Sequence, residues 1–476
     1  MQILRKFLTA QIFLLFLTGA LSAQKVKFTL DEAIKTALEN NREVLVANMN
    51  VEKAEAAVGE AFGYALPSVD VTASFAHFLQ KPKMAFPDFE ALLTNATYSI
   101  LFDENVIPRD DSKYKPLQTK LQSFAQTNSF ETKAQITQIL FNSAVFRGIG
   151  ASKIYLDLAR VQLKSTVSKT ILDVKKAFYG VLLAQELYEI MKASLTNAED
   201  NLKSVQALNR QGLTSDFDAL QVEVQVENLR PKVDELKNVL ENAKNGLKIL
   251  LGLDQNSQID VDGKFNYTTE ILPDNETAVD NAMFSNLDIK SLVIKKQVDE
   301  EFIAIERADY WPTIAAFGNY SFSGSADDFK FQTYNSSVVG LSFSLNLFRG
   351  GQVSHRVQQA EISTMQTEQQ ISVLKDFTAT QVKSKILELE KVKKQVDALE
   401  KNVSLAEKAY SIAVTRYDEG SGTQLEIKNA DVELRTARTN RIKAIHDYII
   451  AKAELDQLLG LIEENYTQYI KYQSEN

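Results

Sequence analysis

Residues 339–353 read Val-Gly-Leu-Ser-Phe-Ser-Leu-Asn-Leu-Phe-Arg-Gly-Gly-Gln-Val, and they contain the change of pattern that decides the fold. Up to Leu347, apolar residues alternate with small or polar ones, which is the two-residue period of a strand with one apolar face. From Val353 to Tyr417 there is neither proline nor glycine, and apolar residues recur every three or four positions. The stretch therefore predicts a strand that leads into a helix of unusual length.

The apolar residues of this helix have the spacing of a coiled-coil seam. They are Ile386, Leu389, Val392, Val396, Leu399, Val403, Ala406, Tyr410 and Ala413. Gly420 and Gly422 mark a turn, after which a second helical pattern returns to about Leu459. A helix of some 65 residues is about 100 Å long at about 1.5 Å per residue, so we expect a long helical hairpin.

The same order of patterns occurs earlier in the chain, which indicates an internal duplication. Asp31, Asn41 and Pro67 recur 245 residues later as Glu276, Asn286 and Pro312, while Gly212, Asp218 and Gly252 recur 208 residues later as Gly420, Glu426 and Gly460. The predicted organisation is a signal peptide over 1–23, a first repeat over 24–252, a connector over 253–273, a second repeat over 274–460 and a tail over 461–476. The first repeat has strands at about 67–78 and 129–141 and a hairpin at about 147–252; the second has strands at about 312–323 and 337–348 and a hairpin at about 352–460.

The N-terminus is predicted to be a secretory signal peptide. Arg5 and Lys6 precede the apolar run of residues 7–17, and Leu21-Ser22-Ala23 offers a small-residue cleavage site before Gln24. The alternative is a buried N-terminal helix.

Each predicted strand pair has one apolar face and one small polar face, a pattern found in lipid-facing barrel walls and in soluble sheets alike. Only the alternation near Gln138 and Ile139 is irregular. Four strands cannot close a barrel, since closure takes about eight, and open strand edges are not tolerated in lipid. A membrane barrel must therefore be shared, and three copies supply about 12 strands. The residues expected to face lipid are Val69, Val71, Phe75, Ile314, Tyr320, Leu341, Phe343 and Leu345.

Composition excludes several functions. The 476 residues include no cysteine, which rules out disulfides and thiolate sites, and the net charge of −9 without a basic block argues against nucleic-acid binding. The three histidines lie far apart in sequence and form no metal-binding motif. We therefore expect neither an enzyme nor a cofactor.

Four stretches together resemble the TolC family of outer-membrane efflux proteins. They are the N-terminal FTLDEAIKTALENN of residues 28–41, the Leu-Phe pairs at 140–141 and 347–348, and RYDEGSGTQLE of residues 416–426 before a Leu-Leu-Gly stop. The resemblance implies a homotrimer in the outer membrane of a Gram-negative bacterium. Its fold would be mainly α-helical, with β-strands in the membrane. Its shared 12-stranded barrel would continue as a periplasmic α-helical barrel. The implied partners are outer-membrane lipid, a periplasmic adaptor (membrane fusion protein) and an inner-membrane pump, with small molecules or exported protein as the passive cargo.

The resemblance also implies a gate at the turns of the hairpins. Tyr417 matches a gate tyrosine of the family, which predicts a bond to Asp218 in the closed state and a threefold acidic ring of Glu426. Asn429 stands where a second acid occurs in some members, and Gly422 where some have an arginine, so Arg210 and Arg416 are alternative latch residues. The competing interpretation is that Asp218 and Glu426 are first-turn carboxylates favoured by the helix dipole.

Two further stretches leave alternatives open. Tyr64, Tyr310 and Trp311 flank the two prolines and are typical either of a membrane-interface belt or of packing at a bend. Residues 80–122, rich in proline and aromatic residues, predict an enlarged extracellular loop, with a disordered loop as the alternative. The rival function is a periplasmic coiled-coil adaptor or scaffold without a pore, although an adaptor has one helical hairpin rather than two.

Overall fold

The computed structural model describes residues 26–268, 271–461 and 466, so the predicted signal peptide and most of the predicted tail lie outside the described residues. The helices and strands are, in chain order, β1 (Val26–Phe28), α1 (Leu30–Asn40), α2 (Arg42–Gly63), β2 (Ser68–His77), β3 (Met84–Pro87), α3 (Phe89–Asp103), β4 (Thr119–Gln122), β5 (Asn128–Phe141), α4 (Ser143–Arg210), α5 (Asp216–Leu250), β6 (Ile259–Val261), α6 (Asn275–Ser285), α7 (Leu287–Arg307), β7 (Thr313–Ala326), β8 (Gln332–Ser344), α8 (Gln352–Asp418) and α9 (Gln424–Leu458). Two short helices, a strand, a return strand and a long helical hairpin thus occur twice, and the fold is a duplicated one.

The chain forms two compact units. The sheet unit consists of Gly59–Ile149 and Ala304–Val357, and the helical unit consists of the remaining described residues. Each predicted repeat contributes to both units. No helix among the described residues is both long and apolar enough to cross a membrane.

The main sheet of the sheet unit is a four-stranded antiparallel sheet with the strand order β2, β5, β7, β8. Its ladder ends where Thr313 pairs with Ser344, because the preceding Pro312 has no N–H group to continue it. At the other end, β7 and β8 extend to the pair Ser325 and Gln332. The predicted strand at 337–348 was therefore placed too far along the chain, and Leu345 lies one residue beyond β8 rather than within it.

The register between β5 and β7 shifts between Ile139 and Phe141. This irregularity lies where the sequence alternation fails, near Gln138. A bulge restores the pairing after one extra residue, which explains why the sequence pattern of this strand is less regular than that of its neighbours.

Residues 80–122, the predicted enlarged loop between β2 and β5, contain strands and a helix, so the alternative of a disordered loop was wrong. Strands β3 and β4 pair, and helix α3 lies between them. Asp88 caps α3 and forms an ion pair with Lys120, at 2.5 Å between Oδ2 and Nζ. The side-chain amide of Asn95 forms two hydrogen bonds with the backbone of Lys115, at 2.8 and 2.7 Å. Paired strands, a helix cap and cross-links distant in sequence make the segment a small folded insertion.

The helical unit is built from the hairpins α4–α5 and α8–α9. Predicted seam residues of α8, including Ile386, Leu389 and Val396, are buried, which confirms the three-and-four spacing as the packing stripe. A second cluster joins residues of α4, among them Ile171 and Phe178, to the short helix α1.

Each returning helix ends against the start of a shorter helix. The amide Nδ2 of Asn41 donates to the Leu250 carbonyl at 2.9 Å, and Asn286 contacts the Leu458 carbonyl in the same way at 3.3 Å. Gly252 has a φ of 67°, and a Cβ there would lie 2.3 Å from the Asn40 carbonyl oxygen. The repeated Leu-Leu-Gly sequence therefore ends the returning helix and leaves room for the start of the shorter one.

Candidate functional site

The two faces of the sheet differ in chemistry, and the pairing of the strands fixes which residues share a face. Directly opposite residues in an antiparallel sheet lie on the same side. Val71 pairs with Ala134, Ala134 with Tyr320, and Phe343 with Ile314. By this register one face contains all the predicted lipid-facing residues that lie within strands, namely Val69, Val71, Phe75, Ile314, Tyr320, Leu341 and Phe343.

Most of this apolar face is open. The side chains of Val71 and Leu341 are 69% and 73% exposed, and Ile314 is half-buried between its neighbours on β5 and β8. Such exposure of large apolar side chains on one side of a sheet is unusual for a soluble surface and marks a contact surface.

The opposite face is polar and lined mainly by small side chains. Its members include Ser68, Asp70, Thr72, Ser74, Glu131, Lys133, Gln135, Asn319, Ser321, Ser323, Ser336 and Ser342. The larger apolar or aromatic side chains on this face are Ile139, Phe317, Tyr334 and Val338. Gly340 lies opposite Phe317 and makes room for its ring, since a Cβ at Gly340 would lie 2.8 Å from the ring.

Among the described residues, the two outer strands of the sheet, β2 and β8, each pair with a single strand. Their outer edges therefore present a row of backbone N–H and C=O groups without ladder partners. At the proline end, Tyr64, Tyr310 and Trp311 are all exposed, consistent with a belt rather than with buried packing at the bend.

The turn of the first hairpin holds Asp218 in a local hydrogen-bond network. The backbone N–H of Asp218 donates to Ser215 Oγ at 3.1 Å, and the Ser215 hydroxyl donates back to the Asp218 carboxylate at 2.7 Å. Thr214 Oγ1 lies 3.3 Å from the same carboxylate oxygen. This arrangement is a helix N-cap, so the sequence Thr-Ser-Asp-Phe-Asp forms the start of α5 as the helix-dipole interpretation requires.

The turn of the second hairpin holds Glu426 and Arg416 together. Thr423 and Glu426 form a reciprocal capping box at the start of α9. Arg416 Nη1 lies 3.6 Å from the Glu426 carboxylate, and its Nη2 donates to the Ser421 carbonyl at 3.0 Å. Arg416 thus stabilises its own turn.

The other predicted gate residues are placed near these turns but are not brought together. Tyr417 is half-buried, whereas Arg210 and Asn429 are exposed. Among the described residues of the single chain, the carboxylate of Asp218 bonds to Ser215 and Thr214 and not to Tyr417.

Four apolar side chains form an exposed stripe from the first turn along α5. Phe217, Leu220 and Val224 lie on one face of α5 at intervals of three and four residues, and Leu213 precedes them in the turn. Phe217, at 72% exposure, is the most open of the four. We call this surface the tip stripe.

Sequence reasoning missed the polar contacts between the two hairpins. Ser194 on α4 donates to the Asp431 carboxylate on α9 at 2.8 Å, and both side chains are buried. Nearer the turn of the second hairpin, the side-chain amides of Asn201 and Gln424 are paired at 2.8 and 3.3 Å. Each member of one pair lies seven residues from a member of the other, and this heptad spacing of polar residues was the available signal.

A third contact between the hairpins lies at the opposite end of α9. The carboxylate of Glu454 binds Lys176 of α4 and Lys385 of α8, each at 2.6 Å. Burial acts to raise the pKa of Glu454, but the hydrogen bonds from the two lysines outweigh it, so that its pKa lies below the usual range. Among the described residues there is no group of three or more His, Cys, Asp or Glu side chains arranged to hold a metal.

Comparison with known proteins gives consistent matches. The family model described as Outer membrane efflux protein matches residues 86–253 and 278–461. The chain is 24% identical over 314 residues to Outer membrane protein TolC of Vibrio cholerae, which covers 64% of this chain and 70% of that protein. It is 22% identical over 341 residues to Alkaline protease secretion protein AprF of Pseudomonas aeruginosa, with 71% of each covered. The crystal structure of the Campylobacter jejuni CmeC outer membrane channel has the same fold, with a TM-score of 0.70 over 96% of this chain and 94% of that one, at 17% identity.

Proposed function

Because this chain belongs to the outer membrane efflux protein family, and is thus an outer-membrane transport protein of a Gram-negative bacterium, we propose that it is a passive homotrimeric channel of a tripartite efflux or secretion system. The observation that carries the proposal is the sheet with one open apolar face, one polar face and two unpaired edges. We also propose the division into a cleaved signal peptide, two repeats, a connector and a tail at the boundaries given above.

The trimer completes the sheet. In lipid, the backbone groups along the outer edges of β2 and β8 need hydrogen-bond partners. Pairing β8 of one chain with β2 of the next supplies them and closes a ring of about 12 strands. The apolar face then contacts outer-membrane lipid, and the polar face lines a wet pore.

The long helices support the same assembly. Helix α8 exposes Ile362, Met365, Val373 and Phe377, which are large apolar side chains left uncovered by the single chain. In the trimer, these residues pack against a neighbouring chain, and the hairpins of three chains form a periplasmic helical barrel.

The tip stripe is proposed as the docking surface for a periplasmic adaptor, which links the channel to an inner-membrane pump. Its spacing fits a partner helix that lies along α5. The cargo is a small molecule or an exported protein; the name of the relative AprF concerns protease secretion. The rival function, an adaptor or scaffold without a pore, has no support from the two hairpins or from the family.

The gate is proposed at the two hairpin turns. Tyr417 and Asp218 are not bonded in the single chain, so their hydrogen bond is assigned to the closed trimer. Glu426 forms the acidic ring there, Arg416 and Arg210 provide further contacts, and Asn429 takes the position of a second acid.

Cell fractionation with gel electrophoresis in SDS tests the proposal. Without heating, the protein from outer membranes is expected to migrate as a trimer, and after boiling as a monomer of about 50 kDa, because closed barrels resist SDS until their strand pairing is broken. A soluble monomer in the periplasmic fraction would contradict the channel.

A further inference from the structure

In the half of α4 nearer the turns, different faces of the helix meet different neighbours. Ala198 packs with Val226 and Leu229 of α5, within the same hairpin. Ser194 and Asn201, four residues before and three after Ala198, contact α9 of the other hairpin instead. Ala198 therefore makes an apolar contact within the hairpin, beside an ion pair of Glu199 with Arg230 of α5, whereas Ser194 and Asn201 make polar contacts between the hairpins.

The centre of the polar contact is a buried carboxylate. Asp431 is 5% exposed and Ser194 is 3% exposed. The Ser194 hydroxyl lies 3.0 and 2.8 Å from the two carboxylate oxygens, and Arg435 Nε donates to one of them at 3.0 Å. A buried ion is a costly way to hold two helices together, and apolar side chains of similar size often hold them more tightly. The buried carboxylate therefore indicates a contact that fixes one arrangement of the two helices but can separate when water enters.

The far end of the same helix pair is fastened differently. Ala453 of α9 lies in the apolar cluster that contains Val174 and Phe178 of α4. Glu454, the next residue, is held by Lys176 and Lys385. The hairpins are thus joined by apolar packing and ion pairs far from the turns, and by separable polar pairs close to them.

We propose that the Ser194–Asp431 contact is a latch that holds the two hairpins of each chain together in the closed channel. This inference rests on the proposed gated channel and deepens it, because it places a control point on the helices at about 24 Å from the end of α4, given about 1.5 Å per residue. When the latch parts, water replaces the Ser194 hydroxyl at the carboxylate, Arg435 keeps the charge paired, and the second hairpin moves away from α4 about its fixed far end. The Asn201–Gln424 pair separates with it.

Single-channel recording of the purified trimer in planar bilayers tests the latch. Ser194→Ala and Asp431→Asn weaken the contact, and each is expected to raise the open fraction by about fivefold or more, the range of a typical coupling between two states. Ser194→Thr keeps the hydroxyl and should behave as wild type. Ser204→Ala and Glu433→Gln change exposed residues of the same two helices and serve as matched controls.

A disulfide gives an independent readout, since the chain has no cysteine of its own. In the double variant Ser194→Cys with Asp431→Cys, the oxidised trimer should stay closed, and reduction should open it. If wild type conducts and all variants match it, the latch is wrong while the channel stands. If wild-type trimers form no pore at all, the proposed channel itself fails. If a single variant yields no trimer on an unheated gel, the double cysteine variant serves as the test instead. Its oxidised and reduced states are then compared on the same assembled protein.

Discussion

At the scale of single residues, the structure separates local capping from contacts between hairpins. Asp218 and Glu426 both serve their own helix starts, as the dipole interpretation predicts, through Ser215 and Thr423. Capping does not compete with a role in the gate, because a carboxylate has about four acceptor positions and a cap uses one or two of them. The remaining acceptor positions of the Asp218 carboxylate can accept the hydrogen bond that we propose from the Tyr417 hydroxyl.

Replacing Tyr417 by Phe and Asp218 by Ala tests this hydrogen bond in the closed trimer. A hydrogen bond to a charged group contributes about 1.5–3 kcal/mol, so its loss should raise the open fraction about tenfold or more. The measurement is the open fraction in single-channel recordings from bilayers. Tyr155→Phe and Asp234→Ala remove the same groups from exposed positions elsewhere on the helices and should leave the open fraction unchanged. Gate variants that conduct like wild type would show that no such bond closes the channel.

Residue positions near the turns were predictable, but their partners were not. Counting from Gly212 and Gly420 identifies Asp218 and Glu426, because a turn and a cap are set by neighbours in sequence. Ser194 and Asp431 lie 237 residues apart, and only the packing of α4 on α9 brings them together. Their polar character within an apolar stripe was visible in the sequence, whereas their pairing depends on the helix register.

At the scale of elements, strongly periodic segments were predicted best. The long helices follow from runs without glycine or proline, and the buried seam of α8 follows from its three-and-four spacing. The limits of β8 were missed because the neighbouring strand and Pro312 set them. The insertion was missed because β3 and β4 have four residues each, too few for a periodic signal, and are stabilised by contacts such as that of Asp88 with Lys120.

The tip stripe along α5 is predicted to bind the adaptor. Changing Leu213 and Phe217 to Ser should weaken adaptor binding by about 30-fold or more, since buried aromatic anchors of an interface contribute about 2 kcal/mol or more each. Binding of the detergent-purified trimer to its adaptor is the measurement, and bilayer conductance should stay as in wild type. Val239→Ser, an exposed apolar position farther along α5, is the control.

Two outcomes would contradict that assignment. Unchanged adaptor binding would exclude the tip stripe as the docking surface. Loss of the trimer on an unheated gel would show that the stripe packs between copies of this chain instead.

At the scale of the whole molecule, one chain is an incomplete structure. Its sheet has two open edges, its apolar sheet face is exposed, and α8 leaves large apolar side chains uncovered. These three features lie in different parts of the chain, and the proposed trimer would satisfy all of them. The duplication explains how a chain with two similar halves comes to supply two strand pairs and two hairpins to that assembly.

Single-particle electron microscopy of the detergent-purified protein can test whether three chains share one barrel around one pore. We expect a threefold particle in which each chain contributes β2, β5, β7 and β8 to one closed ring of about 12 strands, continued by the helical hairpins around a single axis. A particle with one chain, or with a sheet that closes without its neighbours, would contradict this expectation.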